Sequence, residues 1–155
     1  MVIYLDSAII VKLLVREPDS DWFDRSLVGF SCETSELALT EVRSALLAKE
    51  RNGHINSREA NASREKFHAM VEDEIIRLHV LNRSVLDRAS DIQLACHPRV
   101  ALRTLDALHV ATCEIHRCGR LATTDGRMRS ACEHFAIAMM PARMDDITQG
   151  SHASR

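Results

Sequence analysis

Residues 2–16 read VIYLDSAIIVKLLVR, and they place a short apolar run directly before a helical pattern. The run at 2–5 is typical of a buried strand, and residues 7–16 continue as a helix that Pro18 ends. Asp6 occupies the single position between the two elements. A strand that passes directly into a helix is the first half of a βαβ unit, from which parallel sheets are built.

The same alternation continues along the chain. Further strands are predicted at 30–34, 75–81, 121–124 and 136–140, and helices at 19–28, 35–52, 57–71, 84–96, 104–118 and 126–134. Because strands alternate with helices, we expect an α/β fold with a mostly parallel, five-stranded sheet that is covered on both faces. The loops that leave the carboxyl ends of such strands meet at one edge of the domain, where ligands bind.

The composition indicates one ordinary globular domain. A chain of 155 residues is long enough for one continuous core and short for two, and 46% hydrophobic with 27% charged residues excludes disordered and membrane-spanning classes. The five cysteines form an odd count without a Cys-x-x-Cys pair, which is typical of reduced thiols in the cytoplasm. The net charge of −2 does not mark a polyanion-binding protein, so any contact with phosphate has to be local.

Four acidic residues stand beside strand ends or helix starts: Asp6, Glu41, Asp106 and Asp125. Taken singly, each has a structural explanation, since an N-cap Asp contributes about 1 kcal/mol and an acid in a first helical turn roughly 0.3–1 kcal/mol. The topology nevertheless puts Asp6 and Asp125 on the same sheet edge, and Glu41 and Asp106 flank the apolar stripes of their helices. We therefore expect the four carboxylates to share one groove.

A groove with four carboxylates needs a cation. At a separation of roughly 4 Å and an effective dielectric constant of about 20, each pair of like charges costs about 4 kcal/mol. Ligand sets made only of oxygen favour Mg²⁺ or Mn²⁺ over Zn²⁺. Such an ion acidifies a bound water and neutralises charge on a phosphodiester, so phosphodiester hydrolysis is the reaction that suits this site.

Four segments around these acids resemble one known family: YLDSA at 4–8, LTEVRSAL at 39–46, LRTLDALHVA at 102–111 and TTDGRM at 123–128. Their order and spacing, and the total length, are similar to those of PIN-domain ribonucleases, and most of all to those of the VapC toxins. The resemblance covers roughly residues 2–147, and LDALHVA at 105–111 is its most specific part. One departure is Ala8, where many relatives have a small polar residue.

The resemblance implies a three-layer α/β/α sandwich in a single PIN domain at 1–147, with a disordered tail at 148–155. It also implies a metal-dependent endoribonuclease, the toxin of a type II toxin–antitoxin pair, which hydrolyses structured RNA such as tRNA or rRNA with a metal-activated water. A VapB-type antitoxin and a second copy of the chain in a homodimer are the expected partners. We expect the protein to work in the cytoplasm, without a membrane.

Family positions carry over to four residues as the catalytic residues and as the ligands of Mg²⁺ or Mn²⁺: Asp6, Glu41, Asp106 and Asp125. Three further residues are expected to contact RNA phosphate or to support the acids: Ser7, Arg103 and Thr124. Ser7 is also the residue that could replace the hydrogen bond missing at Ala8. The resemblance thus predicts a complete set of acids.

Three alternatives stay open at this point. His109, Cys113 and His116 line one helix face and could form a zinc site, although packing explains Cys113 and Cys118, and a position inside the helix explains His109. A receiver domain with a phosphoacceptor Asp fits the alternation of strands and helices, but Asp6 lacks the acidic neighbour that such a domain needs. A catalytically silent PIN-like module that binds RNA or protein is the third alternative.

Overall fold

The computed structural model describes residues 1–150 and contains a five-stranded sheet in which every pairing is parallel. The strand order is β3-β2-β1-β4-β5. The strands are β1 Val2–Leu5, β2 Ser31–Ser35, β3 Ile76–His79, β4 Leu121–Ala122 and β5 Met139–Met140. The predicted α/β fold with a parallel sheet is therefore confirmed, with β4 and β5 shorter than the sequence pattern indicated.

Helices connect these strands throughout the described residues. They are α1 Ser7–Leu14, α2 Ser20–Ser26, α3 Leu37–Arg51, α4 Ser57–Glu72, α5 Arg83–Cys96, α6 Thr104–Ile115, α7 Gly126–His134 and α8 Asp145–Gly150. The sixth ends three residues before the predicted limit, because the chain turns into the left-handed region at Arg117, where φ is +53°. None of the helices within residues 1–150 is both long and apolar enough to cross a lipid bilayer.

The carboxyl end of the chain differs from the sequence prediction. Residues 148–150 were assigned to a disordered tail, but they continue helix α8. This helix packs on the domain through Ile147, which is buried in a core cluster with residues of α1 and α3. The remainder of the predicted tail, residues 151–155, lies outside the described residues.

Two hydrophobic cores cover opposite faces of the sheet. Because side chains alternate along a strand, Ile3 and Leu5 point into one core and Tyr4 points into the other. The core on the Ile3 face contains side chains of α1, α2, α3 and α4, whereas the core on the Tyr4 face contains side chains of α5, α6 and α7. The predicted three-layer α/β/α sandwich is confirmed.

The strand order places a crevice at the carboxyl ends of β1 and β4. The chain moves from β1 to one side of the sheet to form β2 and β3, and later returns to the other side to form β4 and β5. The ladder continues one step past β1, where the Asp6 amide donates to the Ala122 carbonyl at 3.1 Å. Ligands of open parallel sheets bind at such a reversal of strand order, so Asp6 lies at the expected place.

Candidate active site

Asp6 ends β1 and caps α1. One carboxylate oxygen, Oδ1, accepts a hydrogen bond from the Ile9 amide at 2.8 Å, which fixes the side chain at the start of the helix. The residue is only 1% exposed, and its second oxygen, Oδ2, is buried without a hydrogen-bond partner. Capping therefore explains the position of Oδ1 and leaves Oδ2 buried without a hydrogen bond.

Asp106, on helix α6, also has a buried carboxylate oxygen without a hydrogen-bond partner. It lies in the first turn of α6, where an acid is favoured by the helix dipole, and it is half-buried. Its Oδ2 atom is buried without a hydrogen-bond partner. Buried polar atoms in proteins nearly always have a partner, so the two orphaned oxygens of Asp6 and Asp106 require an explanation.

Asp125 follows the end of β4 and caps α7. Its Oδ1 accepts hydrogen bonds from the amides of Arg127 at 2.8 Å and Met128 at 3.0 Å. Its own amide donates to the hydroxyl of Thr123, also at 3.0 Å. These three bonds hold the Asp125 side chain beside the carboxyl end of β1, next to the acids already described.

The pKa shifts of Asp6 and Asp106 are consistent with this proximity to Asp125. Burial raises the pKa of Asp6 and the negative charge of Asp125 adds to the rise, while Thr123, His109 and the Ile9 amide oppose it. Burial also raises the pKa of Asp106, and again the charge of Asp125 adds to the rise. The charge of Asp125 therefore acts on both Asp6 and Asp106, so all three acids belong to one site.

Glu41 is held differently from the other acids. Its Oε2 accepts hydrogen bonds from Ser7 Oγ at 2.5 Å and from His109 Nε2 at 2.7 Å. Burial raises the pKa of Glu41, but the contacts with His109 and Ser7 outweigh that effect, so the pKa lies below its ordinary range. Glu41 is accordingly an ionised carboxylate with one oxygen fixed.

His109 connects Glu41 to the sheet. It is 2% exposed, and its Nδ1 lies 2.8 Å from the hydroxyl of Tyr4 on β1. From the sequence, His109 was expected to be a helix residue or part of a zinc site, and its role in holding Glu41 was not predicted. Two signals pointed to it: a histidine on the buried stripe of the helix that carries Asp106, and a tyrosine on the buried strand that leads to Asp6.

The structure does not support the alternative of a zinc site at His109, Cys113 and His116. His109 points to Glu41, whereas His116 lies at the exposed end of α6 and stacks on His79 with ring centroids 3.7 Å apart. In residues 1–150, no metal-binding arrangement joins these three side chains. The helical spacing was right, but the two histidines face different neighbours.

The three predicted helper residues have different surroundings. Ser7 donates to Glu41, as described, and Arg103 is exposed at the N-terminus of α6, where its charge lowers the pKa of Asp106 against the effect of burial. Thr124 is half-buried, and the polar contact with Asp125 is made by its neighbour Thr123, which is fully buried. Ala8 is exposed, so a polar side chain at that position would face outward.

The acids share one crevice but do not form a tight cluster. Within the described part of the chain, no three of the four carboxylates have oxygens that all lie within 4.8 Å of one another. The expectation of four carboxylates a few ångströms apart is therefore too compact. Asp6 and Asp125 flank the crevice from two strand ends, and Asp106 and Glu41 face it from α6 and α3.

Fold and site together define an α/β domain with an acidic site at the point where the order of a parallel sheet reverses. The PIN domain family model matches residues 3–133. The chain is also 38% identical to Ribonuclease VapC46 of Mycobacterium tuberculosis over 141 residues, which cover 89% of this chain and 95% of that protein. The chain belongs to the PIN-domain family and, within it, to the VapC group. The receiver-domain alternative is thereby excluded.

Solved structures have the same fold. The structure of FitAcB from Neisseria gonorrhoeae has a TM-score of 0.67 at 18% identity and covers 88% of this chain and 95% of its own. VapC20 of Mycobacterium tuberculosis, a toxin that cleaves the sarcin–ricin loop, has a TM-score of 0.65 at 18% identity. The match covers 83% of this chain and 94% of the VapC20 chain. A chain of a toxin–antitoxin complex from Klebsiella pneumoniae has a TM-score of 0.56 at 14% identity. The match covers 79% of this chain and 85% of that chain.

Proposed function

We propose that this protein is a metal-dependent endoribonuclease, the toxin of a type II toxin–antitoxin pair, which hydrolyses structured RNA such as tRNA or rRNA. The observation that carries the proposal is the pair of buried oxygens, Asp6 Oδ2 and Asp106 Oδ2, that have no hydrogen-bond partner. The name of its relative, Ribonuclease VapC46, supports RNA as the substrate.

The donor atoms at the crevice fit Mg²⁺ or Mn²⁺. All four acids offer oxygen only, which these ions prefer, and two of the oxygens lack any other partner. Because Mg²⁺ retains several waters and binds through one or two carboxylates, Asp6 and Asp106, whose Oδ2 atoms have no other partner, would be its direct ligands. Asp125 and Glu41 would then hold the ion through its waters. When bound, the ion supplies an acidified water and neutralises charge on the phosphodiester.

The side chain of Glu41 would orient the attacking water in this reaction. Glu41 Oε2 is occupied by Ser7 and His109, so Oε1 is the oxygen that can accept a hydrogen bond from the attacking water. Since the pKa of Glu41 is lowered, this carboxylate orients the water better than it removes a proton. Water that attacks phosphorus expels the 3′ oxygen, which leaves a 5′-phosphate and a 3′-hydroxyl.

Arg103 is the proposed phosphate contact. It is exposed at the N-terminus of α6, and its charge acts on Asp106, so it stands beside the crevice with its guanidinium directed toward solvent. A guanidinium at such a rim binds phosphate oxygens of any RNA sequence. Arg103 would therefore position the backbone, whereas the identity of the RNA depends on other contacts.

A VapB-type antitoxin and a homodimer complete the proposal. The solved structure from Klebsiella pneumoniae, which has the same fold, is a complex of a toxin with its antitoxin. All five cysteines are unpaired in the structure, which agrees with work in the reducing cytoplasm, where tRNA and rRNA are found.

Cleavage with mapped ends tests the proposed function. The full chain is incubated with total tRNA and with rRNA, in Mg²⁺ or in excess chelator, and the 5′ ends are sequenced. We expect 5′-phosphate ends that require the metal, and no cleavage by the Asp106→Asn variant. The matched control is Asp73→Asn, an exposed acid three positions before β3 and so at the opposite sheet edge. Cyclic phosphate products, or equal cleavage in chelator, would contradict the proposal.

A further inference from the structure

A second group of metal-binding side chains lies away from the acidic crevice. Glu33 on β2, His79 at the end of β3 and Cys118 in the turn after α6 each place one donor atom within 4.8 Å of the others. Glu33 occupies the same row of the sheet as Tyr4, on the face covered by α5 and α6. Three separate elements therefore bring an oxygen, a nitrogen and a sulfur to one point.

The carboxylate of Glu33 is buried at a position where a parallel sheet usually has an apolar side chain. Glu33 is 6% exposed on a strand next to the centre of the sheet, a position that parallel sheets fill with apolar residues. Its Oε2 lies 2.7 Å from His79 Nε2 and 3.7 Å from Cys118 Sγ, and its Oε1 lies 3.6 Å from Arg77. The buried carboxylate of Glu33 therefore contacts a nitrogen donor of His79 and the sulfur of Cys118.

The distances match the coordination of Zn²⁺. Bond lengths of about 2.3 Å to sulfur and about 2.1 Å to oxygen or nitrogen give tetrahedral edges of about 3.6 Å between sulfur and oxygen, and about 3.4 Å between oxygen and nitrogen. The observed separation of 3.7 Å between Glu33 Oε2 and Cys118 Sγ is within about 0.1 Å of the first edge. The separation of 2.7 Å between Glu33 and His79 has to widen by about 0.7 Å, since a hydrogen bond is exchanged for two metal bonds.

We propose that Glu33, His79 and Cys118 form a binding site for Zn²⁺ or a similar transition-metal ion, separate from the acidic crevice. The three side chains supply three ligands, and a water completes the tetrahedron. Binding requires the thiolate of Cys118 and a bare Nε2 on His79, so the thiol proton is released and the His79 proton moves to Nδ1 or to solvent. The ion ties β2, β3 and the turn after α6 together.

His116 covers the site without being a ligand. Its ring is stacked on that of His79 with the planes 16° apart. Because metal bonds lie in the plane of an imidazole ring, two stacked parallel rings cannot share one ion. Solvent reaches the site past His79, whose side chain remains 14% exposed.

The two metal sites differ in position and in chemistry. Asp106 and His116 are ten residues apart on one helix, which corresponds to about 15 Å along its axis. Thiolate and imidazole ligands favour Zn²⁺ and Co²⁺, whereas the acidic crevice offers oxygen alone and suits Mg²⁺. Excess Mg²⁺ should therefore fill the acidic crevice, so that binding of Co²⁺ or Zn²⁺ in its presence reports the second site.

Titration with Co²⁺ in the presence of excess Mg²⁺ tests this proposal on the full-length, reduced chain. We expect a thiolate-to-cobalt charge-transfer absorption that saturates at one ion per chain and disappears when Zn²⁺ is added. The measurement needs no RNA and no cleavage, so it is independent of the proposed ribonuclease function. Absence of the charge-transfer band under these conditions would overturn the proposal.

Three variants and one control assign the ligands. Cys118→Ser should abolish the charge-transfer band, and His79→Gln and Glu33→Gln should weaken Co²⁺ binding by more than the roughly 10- to 100-fold that loss of an outer partner causes. Cys32→Ser is the matched control, because Cys32 precedes Glu33 on the same strand and packs on the opposite face. It should bind Co²⁺ as the natural chain does. A band that survives in Cys118→Ser would overturn the assignment.

A thermal measurement covers the case in which a variant folds poorly. Zn²⁺ added to the natural chain in excess Mg²⁺ should raise its Tm, since an ion that binds only the folded state stabilises it. The same addition should leave the Tm of His79→Gln unchanged. An equal rise in both proteins would show that Zn²⁺ binds elsewhere and would contradict the proposed site.

Discussion

Nε2 of His109 lies 2.7 Å from Oε2 of Glu41, although the two residues are 68 positions apart in the sequence. The other ring nitrogen of His109 contacts the hydroxyl of Tyr4 at 2.8 Å. Burial raises the pKa of Tyr4, so the phenol keeps its proton and donates it to Nδ1. Nδ1 of His109 then accepts from Tyr4, and Nε2 carries the proton that is donated to Glu41. One directed chain of hydrogen bonds thus fixes Glu41 from the sheet.

Replacement of His109 with Ala should weaken both the site and the fold. Glu41 loses one of two donors, so we expect cleavage to fall by about 10- to 100-fold, the range for loss of an outer partner. Buried Tyr4 is left without its acceptor, which should lower the free energy of unfolding by about 1–3 kcal/mol. Urea unfolding and RNA cleavage at saturating RNA measure the two effects.

The control for this variant is His68→Ala, because His68 is exposed on α4. Exposed substitutions change stability by only about 0.5 kcal/mol, so His68→Ala should behave as the natural protein. Cleavage by His109→Ala within twofold of the natural rate would show that Ser7 alone orients Glu41.

Replacement of Asp6 with Asn separates the structural and chemical roles of this residue. Asn is as good an N-cap as Asp, so the contact with the Ile9 amide should survive. In chelator the variant should be more stable than the natural protein, because an uncompensated buried charge is removed. We expect a Tm increase of about 2–4 °C, which corresponds to roughly 1 kcal/mol in a domain of this size.

Mg²⁺ should reverse that order. The natural protein should gain stability as the ion binds, by about 2.7 kcal/mol at 100 times its dissociation constant, while Asp6→Asn should gain little and should not cleave RNA. Differential scanning fluorimetry with and without Mg²⁺ measures both shifts. An Asp6→Asn variant that is stabilised as much as the natural chain would exclude Asp6 as a ligand.

The stability of the metal-free protein should depend on pH with an unusual sign. The pKa values of Asp6 and Asp106 in the folded state lie above the unfolded value of 3.8, so the folded state binds more protons between these limits. Their contribution to stability is therefore lost as pH rises through the folded pKa values and is recovered as pH falls toward 3.8.

The contribution of Glu41 to stability depends on pH in the opposite direction, since its pKa in the folded state lies below the ordinary 4.5. This contribution to stability is lost as pH falls through the lower value. The metal-free protein should accordingly be most stable in mildly acidic buffer. Urea midpoints in chelator from pH 4 to pH 8, measured for the natural chain and for Asp6→Asn, should show a weaker gain on acidification in the variant. Identical pH curves would contradict the buried charge at Asp6.

Local patterns in the sequence were sufficient for the fold and for the sheet edge at which Asp6 and Asp125 lie. Asp6 and Asp125 follow from strands that pass into helices, because topology alone brings such junctions to one edge. The contact between Tyr4 and His109 spans 105 positions and depends on how α6 packs on the sheet, which no local pattern contains. The same limit applies to the meeting of Glu33, His79 and Cys118, which lie on three elements.

The choice between Thr123 and Thr124 shows a second limit. Side chains alternate near the end of a strand, so Thr123 faces the buried side whereas Thr124 is partly exposed. The family resemblance points to Thr124 as the helper, whereas Thr123 makes the contact with the Asp125 amide. Where β4 ends, after Ala122, is set by its pairing with β1 and β5 and not by its own residues.

Replacement of Thr123 with Val tests this assignment. Val preserves the shape of the fully buried side chain but removes the acceptor of the Asp125 amide, so we expect a loss of about 1–3 kcal/mol in the free energy of unfolding. Asp125 should also be less firmly held, with slower cleavage. The matched variant Thr124→Val should stay within about 0.5 kcal/mol of the natural protein. Equal effects of the two substitutions would refute a special role for Thr123.

Replacement of Arg103 with Asn should weaken RNA binding without damage to the fold. Arg103 occupies the N-cap position of α6 without a side-chain cap, and Asn is a preferred residue there, so stability should be retained. Loss of one phosphate contact should raise the KM for RNA by about 5- to 10-fold, which corresponds to roughly 1 kcal/mol, with a much smaller change in kcat. It should also reduce the slope of log affinity against log salt concentration by about 1.

The control is Arg117→Asn. Arg117 is exposed just beyond the other end of α6, and its left-handed backbone, with φ at +53°, suits Asn. Both variants remove one positive charge, so a general electrostatic effect would change the salt slope equally in the two. A contact made at the crevice changes it in Arg103→Asn alone, because the charge of Arg103 acts on Asp106 whereas Arg117 lies beyond the other end of α6.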